Sequence, residues 1–466
     1  MGKTGTTPSH WRFLIRSQPV QCQALATRLF PVLCVAKGMT RDHAGIDSSR
    51  PWVRPHIQLR GSSLFFLISE RPLDTLSPQQ ASLFAAIDGR HTVSNLESTY
   101  PGARDQILRW HDAGISELVR PLTPPANPHI LVIEPHMDDA VLSAGGRLLR
   151  RRGNCRFTIL SVVGRTNFTS YSLRARDFQD LEEVTRLRQQ ESLLVSALVG
   201  AEFRTLGWPD GPLRFWPETP WSKAVMERFR AAPETFLNLF PAPSEVEQLA
   251  SQLLAEITSL APSELWIPMG LGDHVDHRLT RSACLRMLAA NREQFSQVRV
   301  SMYEDVPYST AVDQAAKICA ELTKLGMRMV RQTEDITAVF DEKLRLSSVY
   351  ASQFKLSYIE PALRRIGARE SGSPEKTRRG LSFHRRSIRP SPGNASGPRL
   401  GWLSSSWLQI EFLGAQAQPM SPAQRDRSSL RPIGPLGARP GFSGSGFSPG
   451  AYRGYRGWQC SVAGRQ

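Results

Sequence analysis

The sequence predicts an α/β fold in which a Rossmann-like, mostly parallel sheet carries helices on both of its faces. Between residues 128 and 367, short apolar runs alternate with segments of helical periodicity, a pattern typical of βαβ units. Two clusters of histidine and aspartate directly follow two of these apolar runs. Open α/β sheets place their chemistry outside the carboxyl ends of their strands, so both observations favour the same architecture.

The elements of this region are predicted in order from their length and periodicity. Strands are expected at 130–134, 157–163, 202–206, 265–269 and 298–303. Helices are expected at 141–152, 181–199, 244–260, 278–290 and 311–325, with a last helix at 342–362. No Gly-x-Gly-x-x-Gly follows a strand, so the pattern does not indicate a dinucleotide site.

Residues 61–122 predict a small separate module ahead of a proline-rich linker at 121–128. Ser77 and Pro78 suit the N-cap and first position of a helix. Strands at 63–68 and 114–119 and helices at 93–100 and 104–113 complete the module. This order resembles a winged-helix-like domain of the PqqD type, which implies a peptide or protein partner. The alternative is a packing or dimerisation element.

The two ends of the chain predict poorly ordered extensions. Residues 1–60 begin with 41 residues that lack any acid, and the apolar stretch at 29–36 is too short for a signal peptide. Residues 368–466 predict a disordered, low-complexity tail rich in Gly, Ser and Pro. From residue 366 onward the chain has 15 Arg and Lys against 4 Asp and Glu, which accounts for most of its net charge of +16. Nucleic-acid binding is the other interpretation of a basic tail.

Composition bounds the class and the compartment. A chain of 466 residues with 40% hydrophobic residues predicts two or three globular domains. No apolar run approaches the roughly 20 residues that a membrane-spanning helix needs. The six cysteines lack Cys-x-x-Cys spacing, which argues against a disulfide scaffold or a thiolate zinc site and favours a reducing, cytoplasmic compartment.

The two polar clusters predict one shared divalent metal site. The first is Pro135-His136-Met137-Asp138-Asp139, and the second is Gly272-Asp273-His274-Val275-Asp276-His277. Histidine nitrogen and aspartate oxygen are ordinary zinc ligands, and a catalytic zinc keeps three protein ligands. His136, Asp139 and His277 are the predicted ligands, which leaves Asp138 free to act as a base. The alternative is that the two aspartates only cap the following helix.

These motifs resemble those of the PIG-L/LmbE-like zinc-dependent de-N-acetylases. The family's His-Pro-Asp-Asp stands here as His136-Met137-Asp138-Asp139, and its His-x-Asp-His as residues 274–277. Arg188-Gln189-Gln190-Glu191 and Leu206-Gly207-Trp208-Pro209-Asp210-Gly211 are similar to the segments between them. Residues 303–308 and 350–353 continue the similarity, which covers roughly residues 128–363 in the family's order.

The resemblance implies a Zn²⁺-dependent hydrolase that removes an N-acyl group, in the first place N-acetyl, from an amino sugar of the N-acetylglucosamine type. Asp138 would activate a metal-bound water, and His274 would donate to the tetrahedral intermediate or to the leaving amine. Asp276 would orient His274. Arg188 and Asp210 would shape the sugar pocket, or else form a helix-face ion pair and a turn.

The sequence departs from the family at three places. Met137 replaces a proline that stiffens the turn, and Ala140 stands where many members carry glutamate. Residues 164–168 differ from the family's loop beside the substrate.

Two rival functions stand beside the hydrolase. One is an impaired metal-binding protein whose N-terminal module engages a peptide or carrier protein, and the second is a nucleic-acid-associated protein that uses the basic tail. The second lacks any known reader motif.

Overall fold

The computed structural model describes residues 45–67, 69, 71–123, 127–169, 180–215, 239–308, 312–324, 327–354, 356–369 and 404–412. Its N-terminal module contains five short strands and three helices. In chain order they are β1 (Arg50–Val53), β2 (Ile57–Arg60), β3 (Ser63–Phe66), β4 (Asp74–Thr75), α1 (Pro78–Ala85), α2 (Val93–Thr99), α3 (Ala103–Asp112) and β5 (Ser116–Val119).

The module begins earlier than predicted. Strands β1 and β2 lie inside the segment 1–60 that the sequence predicted to be a poorly ordered extension. β1 pairs antiparallel with β5, and β2 pairs antiparallel with β3. These strands are too short and too rich in polar residues to show a clear period, which is why the sequence did not predict them.

Local signals inside the module agree with the structure. Ser77 caps α1 in a reciprocal capping box with Gln80, and Pro78 takes the first helical position as predicted. Leu64, Phe84, Ile107 and Trp110 are buried in one apolar cluster of the module. The winged-helix-like assignment of this module stays a prediction.

The remaining elements form the α/β region. In chain order they are β6 (His129–Glu134), α4 (Asp139–Arg151), β7 (Arg156–Arg165), α5 (Leu181–Val199), β8 (Ala201–Pro209), α6 (Gly211–Phe215), α7 (Pro243–Leu260), β9 (Glu264–Pro268), α8 (Val275–Ala290), β10 (Arg299–Tyr303), α9 (Val312–Lys324), β11 (Met327–Asp335), α10 (Phe340–Ser347), α11 (Leu356–Arg369) and β12 (Ser404–Phe412).

The central sheet has seven strands in the order β11-β12-β10-β9-β6-β7-β8. β10, β9, β6, β7 and β8 run parallel to one another. β12 runs antiparallel to both of its neighbours. The predicted mixed α/β fold with a mostly parallel sheet is confirmed, as are the five predicted strands, which are β6 to β10.

Both faces of the sheet are covered, because alternate residues of β6 enter different apolar clusters. Leu131 and Ile133 pack with residues of α7 and α8 on one face. Ile130 and Val132 pack with residues of α4 and α5 on the other. A parallel strand buried on both faces is a continuous apolar run, which explains why the sequence revealed these strands.

Two differences concern the C-terminal half. The predicted helix at 342–362 is two helices, α10 and α11, separated at residues 348–355. The predicted low-complexity tail contains β12, which is inserted between β10 and β11 with Ile410 buried. Residues 404–412 are therefore part of the sheet, and the prediction of a tail from residue 368 onward is wrong over this stretch. Residues 368 and 369 of the predicted tail belong to α11. Residues 1–44, 370–403 and 413–466 lie outside the described residues.

The N-terminal module contacts the α/β region through a buried charge cluster. Glu117 of β5 accepts hydrogen bonds from Arg54 and from Arg345 of α10. Trp52 and Val119 pack against the apolar cluster beneath α4 and α5.

Cys155, Cys284 and Cys319 are free thiols. Within the described ranges, no helix combines the length and the apolar character that crossing a membrane requires.

Candidate active site

The two polar clusters meet at one edge of the sheet. His136, Asp138 and Asp139 follow the carboxyl end of β6, and His274, Asp276 and His277 follow β9 after a short 3₁₀ turn at Leu271–Asp273. β6 and β9 are parallel neighbours, so their carboxyl ends lie side by side. The structure therefore brings the two clusters together, as predicted, at the edge where open α/β sheets carry their chemistry.

His136, Asp139 and His277 form a compact group of ligand atoms. Oδ2 of Asp139 lies 3.2 Å from Nδ1 of His136 and 3.3 Å from Nε2 of His277. One ligand atom from each residue lies within 4.8 Å of the others. Two imidazole nitrogens and one carboxylate oxygen are a donor set that suits zinc and other divalent cations, so the group fits a metal of this kind.

A third carboxylate, Asp305, fixes the orientation of His277. Nδ1 of His277 lies 2.7 Å from Oδ1 of Asp305, which follows β10, the next strand of the sheet. The other oxygen of Asp305 accepts the backbone N–H of Leu271 at 3.0 Å. A carboxylate on the far nitrogen of a ligating imidazole holds the ring in place and raises its basicity. This contact leaves Nε2 of His277 directed at Asp139.

Neighbouring charges outweigh burial and favour the charged forms of His277 and Asp139. Burial lowers the pKa of His277, but Asp139 and Asp305 outweigh it and raise that pKa well above its usual value. Burial likewise opposes the charge on Asp139, yet His277 and His136 hold the pKa of this carboxyl well below its usual range. Asp139 is therefore an anion that can serve as a ligand.

Asp138 differs from its neighbour in every contact. It stands at the N-cap position of α4, but its side chain makes no capping hydrogen bond, which argues against the capping alternative. Its Oδ1 lies 3.5 Å from Nη2 of Arg188. Burial raises the pKa of Asp138, and Arg188 opposes that rise. The preceding carbonyl, of Met137, accepts a hydrogen bond from Ser192 at 2.8 Å, which ties this turn to α5 in the absence of the family's proline.

Asp276 has partners other than the predicted one. Its Oδ2 lies 3.0 Å from Nε2 of His136 and accepts the backbone N–H of Gly211 at 2.9 Å. Its Oδ1 accepts a hydrogen bond from Arg214. The nearest approach between its carboxylate and Nδ1 of His274 is 3.8 Å, too long for the predicted orienting hydrogen bond.

His274 is instead oriented by the backbone. Its Nδ1 accepts the N–H of Asp276 at 3.2 Å, so the ring caps α8. Because Nδ1 accepts, the proton of the neutral ring resides on Nε2. Burial, with His136 nearby, lowers the pKa of His274 to about 3. His274 is therefore a neutral hydrogen-bond donor beside His136, whose ring centroid lies 4.8 Å away.

Arg188 and Asp210 are both buried near this edge of the sheet. Arg188 contacts Asp138, as described above. Asp210 accepts hydrogen bonds from the Thr166 hydroxyl and from the N–H of Leu213 at the start of α6. Burial raises the pKa of Asp210 to about 6. Their role in substrate binding stays a prediction, and the turn contacts of Asp210 match the structural alternative.

Three buried polar atoms around the site have no hydrogen-bond partner in the part of the chain that the structure describes. They are Oδ1 of Asn167, Nε of Arg188 and Nη2 of Arg214. Asn167 follows β7, and Arg214 belongs to α6 and contacts Asp276. Unpaired buried polar atoms are rare, and a polar ligand is one way to satisfy them.

Sequence reasoning missed Asp305, Arg214 and Glu134. Glu134, the last residue of β6, accepts the N–H of Ala140 at 2.8 Å and a hydrogen bond from Ser161. Its burial raises the pKa of this carboxyl to about 8. Asp305 and Glu134 could have been singled out as candidates, because each lies at or just after the end of a predicted strand. Arg214 has no such signal.

Comparison with known proteins gives a consistent picture. Residues 131–288 match the family described as PIG-L: GlcNAc-PI de-N-acetylase. Over 236 residues the chain is 26% identical to the 2'-N-acetylparomamine deacetylase of Streptomyces fradiae, a match that covers 50% of this chain and 76% of that protein.

The solved structures to which the chain is similar include three structures of deacetylases. A deacetylase of teicoplanin biosynthesis has a TM-score of 0.43 at 18% identity, over 61% of this chain and 98% of that one. The zinc-inhibited form of the teicoplanin deacetylase Orf2 has a TM-score of 0.43 at 16% identity, with the same two coverages of 61% and 98%. The N,N'-diacetylchitobiose deacetylase of Pyrococcus horikoshii has a TM-score of 0.34 at 19% identity, over 53% and 80%.

Proposed function

We propose that this protein hydrolyses the N-acetyl group of an amino sugar or its conjugate with the help of a divalent metal. The match of residues 131–288 to the PIG-L family confirms the predicted resemblance and supports this proposal. The observation that carries the proposal is the pairing of a three-ligand group with a separate carboxylate. His136, Asp139 and His277 supply the ligands, and Asp138 beside them makes none of their contacts. The name of the Streptomyces relative supports an acetylated amino sugar as substrate.

The ligand group explains why the reaction would need a metal. A divalent cation such as Zn²⁺, when held by these three residues, would polarise the acetyl carbonyl and lower the pKa of water toward neutrality. The protein's own contribution is to keep Asp139 ionised and to hold the ring of His277 through Asp305. Zn²⁺ is the ion we propose from the donor set.

Asp138 is the proposed general base. Its carboxylate would accept a proton from the attacking water while the water oxygen bonds to the acetyl carbon. The C–N bond then breaks, and the proton held by Asp138 passes to the leaving amine, so that acetate and a free amino sugar are released. Arg188 at 3.5 Å supports the ionised form of Asp138, which burial alone would disfavour.

His274 is proposed as a donor to the developing oxyanion. Donation to the oxyanion and donation to the leaving amine are the two roles open to His274. The ring supports the first role, because Nδ1 accepts the Asp276 N–H and the proton of the neutral ring therefore resides on Nε2. A neutral hydrogen-bond donor aimed at the place where negative charge develops can stabilise the transition state without transferring its proton. Asp276 would act on His136 rather than on His274.

The substrate class is proposed from the unpaired polar atoms near the site. Oδ1 of Asn167 offers an acceptor, and Nε of Arg188 and Nη2 of Arg214 offer donors; each of these three atoms is buried and has no hydrogen-bond partner among the described residues. A sugar presents hydroxyl groups that both donate and accept hydrogen bonds, so it could satisfy all three. Asp210 could join them through the remaining lone pairs of its carboxylate, which accepts hydrogen bonds from Thr166 and Leu213.

The test is amine release from a panel of N-acetylated amino sugars, including N-acetylglucosamine conjugates and N-acetylated aminoglycosides. The parent protein is expected to release acetate and amine in equal amounts from at least one of them. Chelation should abolish the release, and added Zn²⁺ should restore it. Release that survives complete metal removal would contradict metal dependence, and no release from any member would contradict the proposed activity.

A further inference from the structure

A cavity lies in the N-terminal module, apart from the sheet edge that carries the active-site candidates. It has a volume of about 620 Å³ and is lined by residues of the β3–β4 connection, α1 and α3. We call it the module cavity. Small-molecule sites typically have volumes of about 300–1,000 Å³. Its size therefore suits a small organic ligand, and its chemistry is set by the side chains described below.

The floor of the module cavity offers hydrogen-bond donors. Trp110 is 1% exposed, and its Nε1 has no hydrogen-bond partner among the described residues. Gln106 is 5% exposed, and its carbonyl oxygen accepts hydrogen bonds from Gln80 at 2.8 Å and from Arg109 at 3.2 Å. Since the oxygen of Gln106 is engaged, its amide nitrogen is the group left to bind a ligand. Buried donors without acceptors are rare in folded proteins.

The rim of the module cavity is cationic. Arg71 and Arg109 line it and are exposed to solvent, whereas Asp74 is the one acid among the lining residues that the structure describes. An arginine guanidinium binds a carboxylate through charge-assisted hydrogen bonds. Leu73 and Ile115 give the cavity an apolar wall. Donors on the floor, cations at the rim and an apolar wall together select a ligand that accepts hydrogen bonds, carries negative charge and has an apolar body.

We propose that the module cavity binds a small organic monocarboxylate. Its carboxylate would accept hydrogen bonds from Trp110, Gln106 and Arg109, and its hydrocarbon part would lie against Leu73 and Ile115. This site is independent of the proposed hydrolytic reaction, because it uses none of the residues assigned to that reaction. The N-terminal module would then bind a ligand in addition to packing against the α/β region.

The test is calorimetric titration of the full-length, metal-loaded protein with hexanoate, using hexylamine and hexan-1-ol as probes of the same length. Hexanoate is expected to bind saturably at millimolar concentration, and both other probes at least about tenfold more weakly, the equivalent of losing one good charge-assisted contact. Trp110→Phe removes the unpaired donor and keeps an aromatic ring. Gln106→Glu keeps the acceptor for Gln80 and Arg109 but places a negative charge against the ligand.

Both variants should weaken hexanoate binding by about tenfold or more. Gln106→Glu should melt close to the parent, whereas Trp110→Phe removes buried volume from the apolar cluster of the module and should melt a few degrees lower while staying folded at the temperature of the titration. Arg104→Gln, on the same helix but outside the cavity, is the control and should bind like the parent. Undiminished hexanoate binding in Trp110→Phe and Gln106→Glu would place the ligand elsewhere and overturn the proposal. So would equal binding of hexylamine, or the absence of saturable binding to the parent.

Discussion

Asp138 and Asp139 are adjacent in the chain, yet their surroundings make them different chemical groups. Asp139 contacts His136 and His277, and Asp138 contacts Arg188. The pKa of Asp139 is held far below its usual range, whereas burial raises the pKa of Asp138. One is suited to binding a cation and the other to exchanging a proton.

The first prediction separates these two roles. Asp138→Asn keeps the shape of the side chain but removes the base, so metal content should stay near that of the parent while turnover falls by roughly 10²–10⁴-fold. Asp139→Asn removes a charged ligand and should lower metal affinity, with activity partly restored by excess Zn²⁺. Metal analysis and amine release measured on both variants decide the matter. The opposite pattern, with metal lost only in Asp138→Asn, would reverse the assignment.

The second prediction concerns Asp305. Asp305→Ala leaves Nδ1 of His277 without its carboxylate, so metal affinity should fall by roughly 10–100-fold. Asp305→Asn is the matched control, because its amide oxygen can still accept from His277, and it should lose less. Competition with a chromogenic chelator measures both affinities. If Asp305→Ala binds metal as tightly as the parent does, Asp305 does not support the ligand.

Sequence reasoning found the residues whose position follows from chain order. His136, Asp138, Asp139 and His277 come directly after apolar runs, and strand ends are where α/β sheets carry chemistry. Asp305 and Arg214 were missed because their roles depend on which strand lies beside which, and on a short helix that places Arg214 against Asp276. The family resemblance implied that Asp276 orients His274, whereas the fold brings the Asp276 carboxylate to His136.

At the scale of the elements, β12 is the largest departure from expectation. Its sequence, Ser-Ser-Ser-Trp-Leu-Gln-Ile-Glu-Phe, lies far beyond α11 in a stretch rich in Gly, Ser and Pro. Nothing local marks it as part of a sheet that is otherwise complete by residue 335. Its pairing with β10 and β11 is long-range, and single-sequence periodicity does not report such pairing.

The third prediction uses two truncations that differ in residues 370–412, a stretch that includes β12. A chain ending at residue 412 retains the strand, and its melting temperature should match that of the full chain. A chain ending at residue 369 loses every hydrogen bond that β12 makes and leaves facing edges on β10 and β11, so it should melt several degrees lower and aggregate more readily. Equal melting temperatures for the two truncations would show that β12 contributes nothing to the sheet.

The contact between β5 and α10 depends on one buried carboxylate. Burial disfavours the ionised form of Glu117, but Arg54, Arg345 and His111 hold the pKa of this carboxyl at about 2, below the usual 4.5. Because the folded pKa is depressed, the stabilisation is complete above pH 4.5 and is lost as the pH falls from 4.5 toward 2. The contact thus couples the module to the α/β region most strongly near neutral pH.

The fourth prediction follows from that contact. Glu117→Gln should destabilise the protein at pH 7 by about 3 kcal/mol, because two arginines lose their anionic partner. The difference from the parent should shrink as the pH falls below 4.5, since the carboxyl of the unfolded parent takes up a proton there while that of the folded parent stays ionised down to about pH 2. Urea unfolding at pH 7 and pH 3.5 measures the effect. A pH-independent difference would mean that the charge of Glu117 is not what stabilises the contact.

At the scale of the whole molecule, the chain combines a covered parallel sheet with a module attached to it. The sheet brings residues separated by about 140 positions into one ligand group, since His136 and His277 follow neighbouring strands. The sequence predicted this sheet because its inner strands are continuous apolar runs. It did not predict how far the module extends toward the N-terminus, because β1 and β2 are short and half-exposed.

The central claim is that His136, Asp139 and His277 hold a divalent metal on which removal of an N-acetyl group depends. The most direct measurement is metal stoichiometry together with acetate release, for the parent and for His277→Asn prepared in the same way. The parent is expected to bind about one divalent ion and to deacetylate an N-acetylated amino sugar. His277→Asn is expected to fold, to lose the ion and to release no acetate. Full metal occupancy and undiminished acetate release in His277→Asn would contradict the claim.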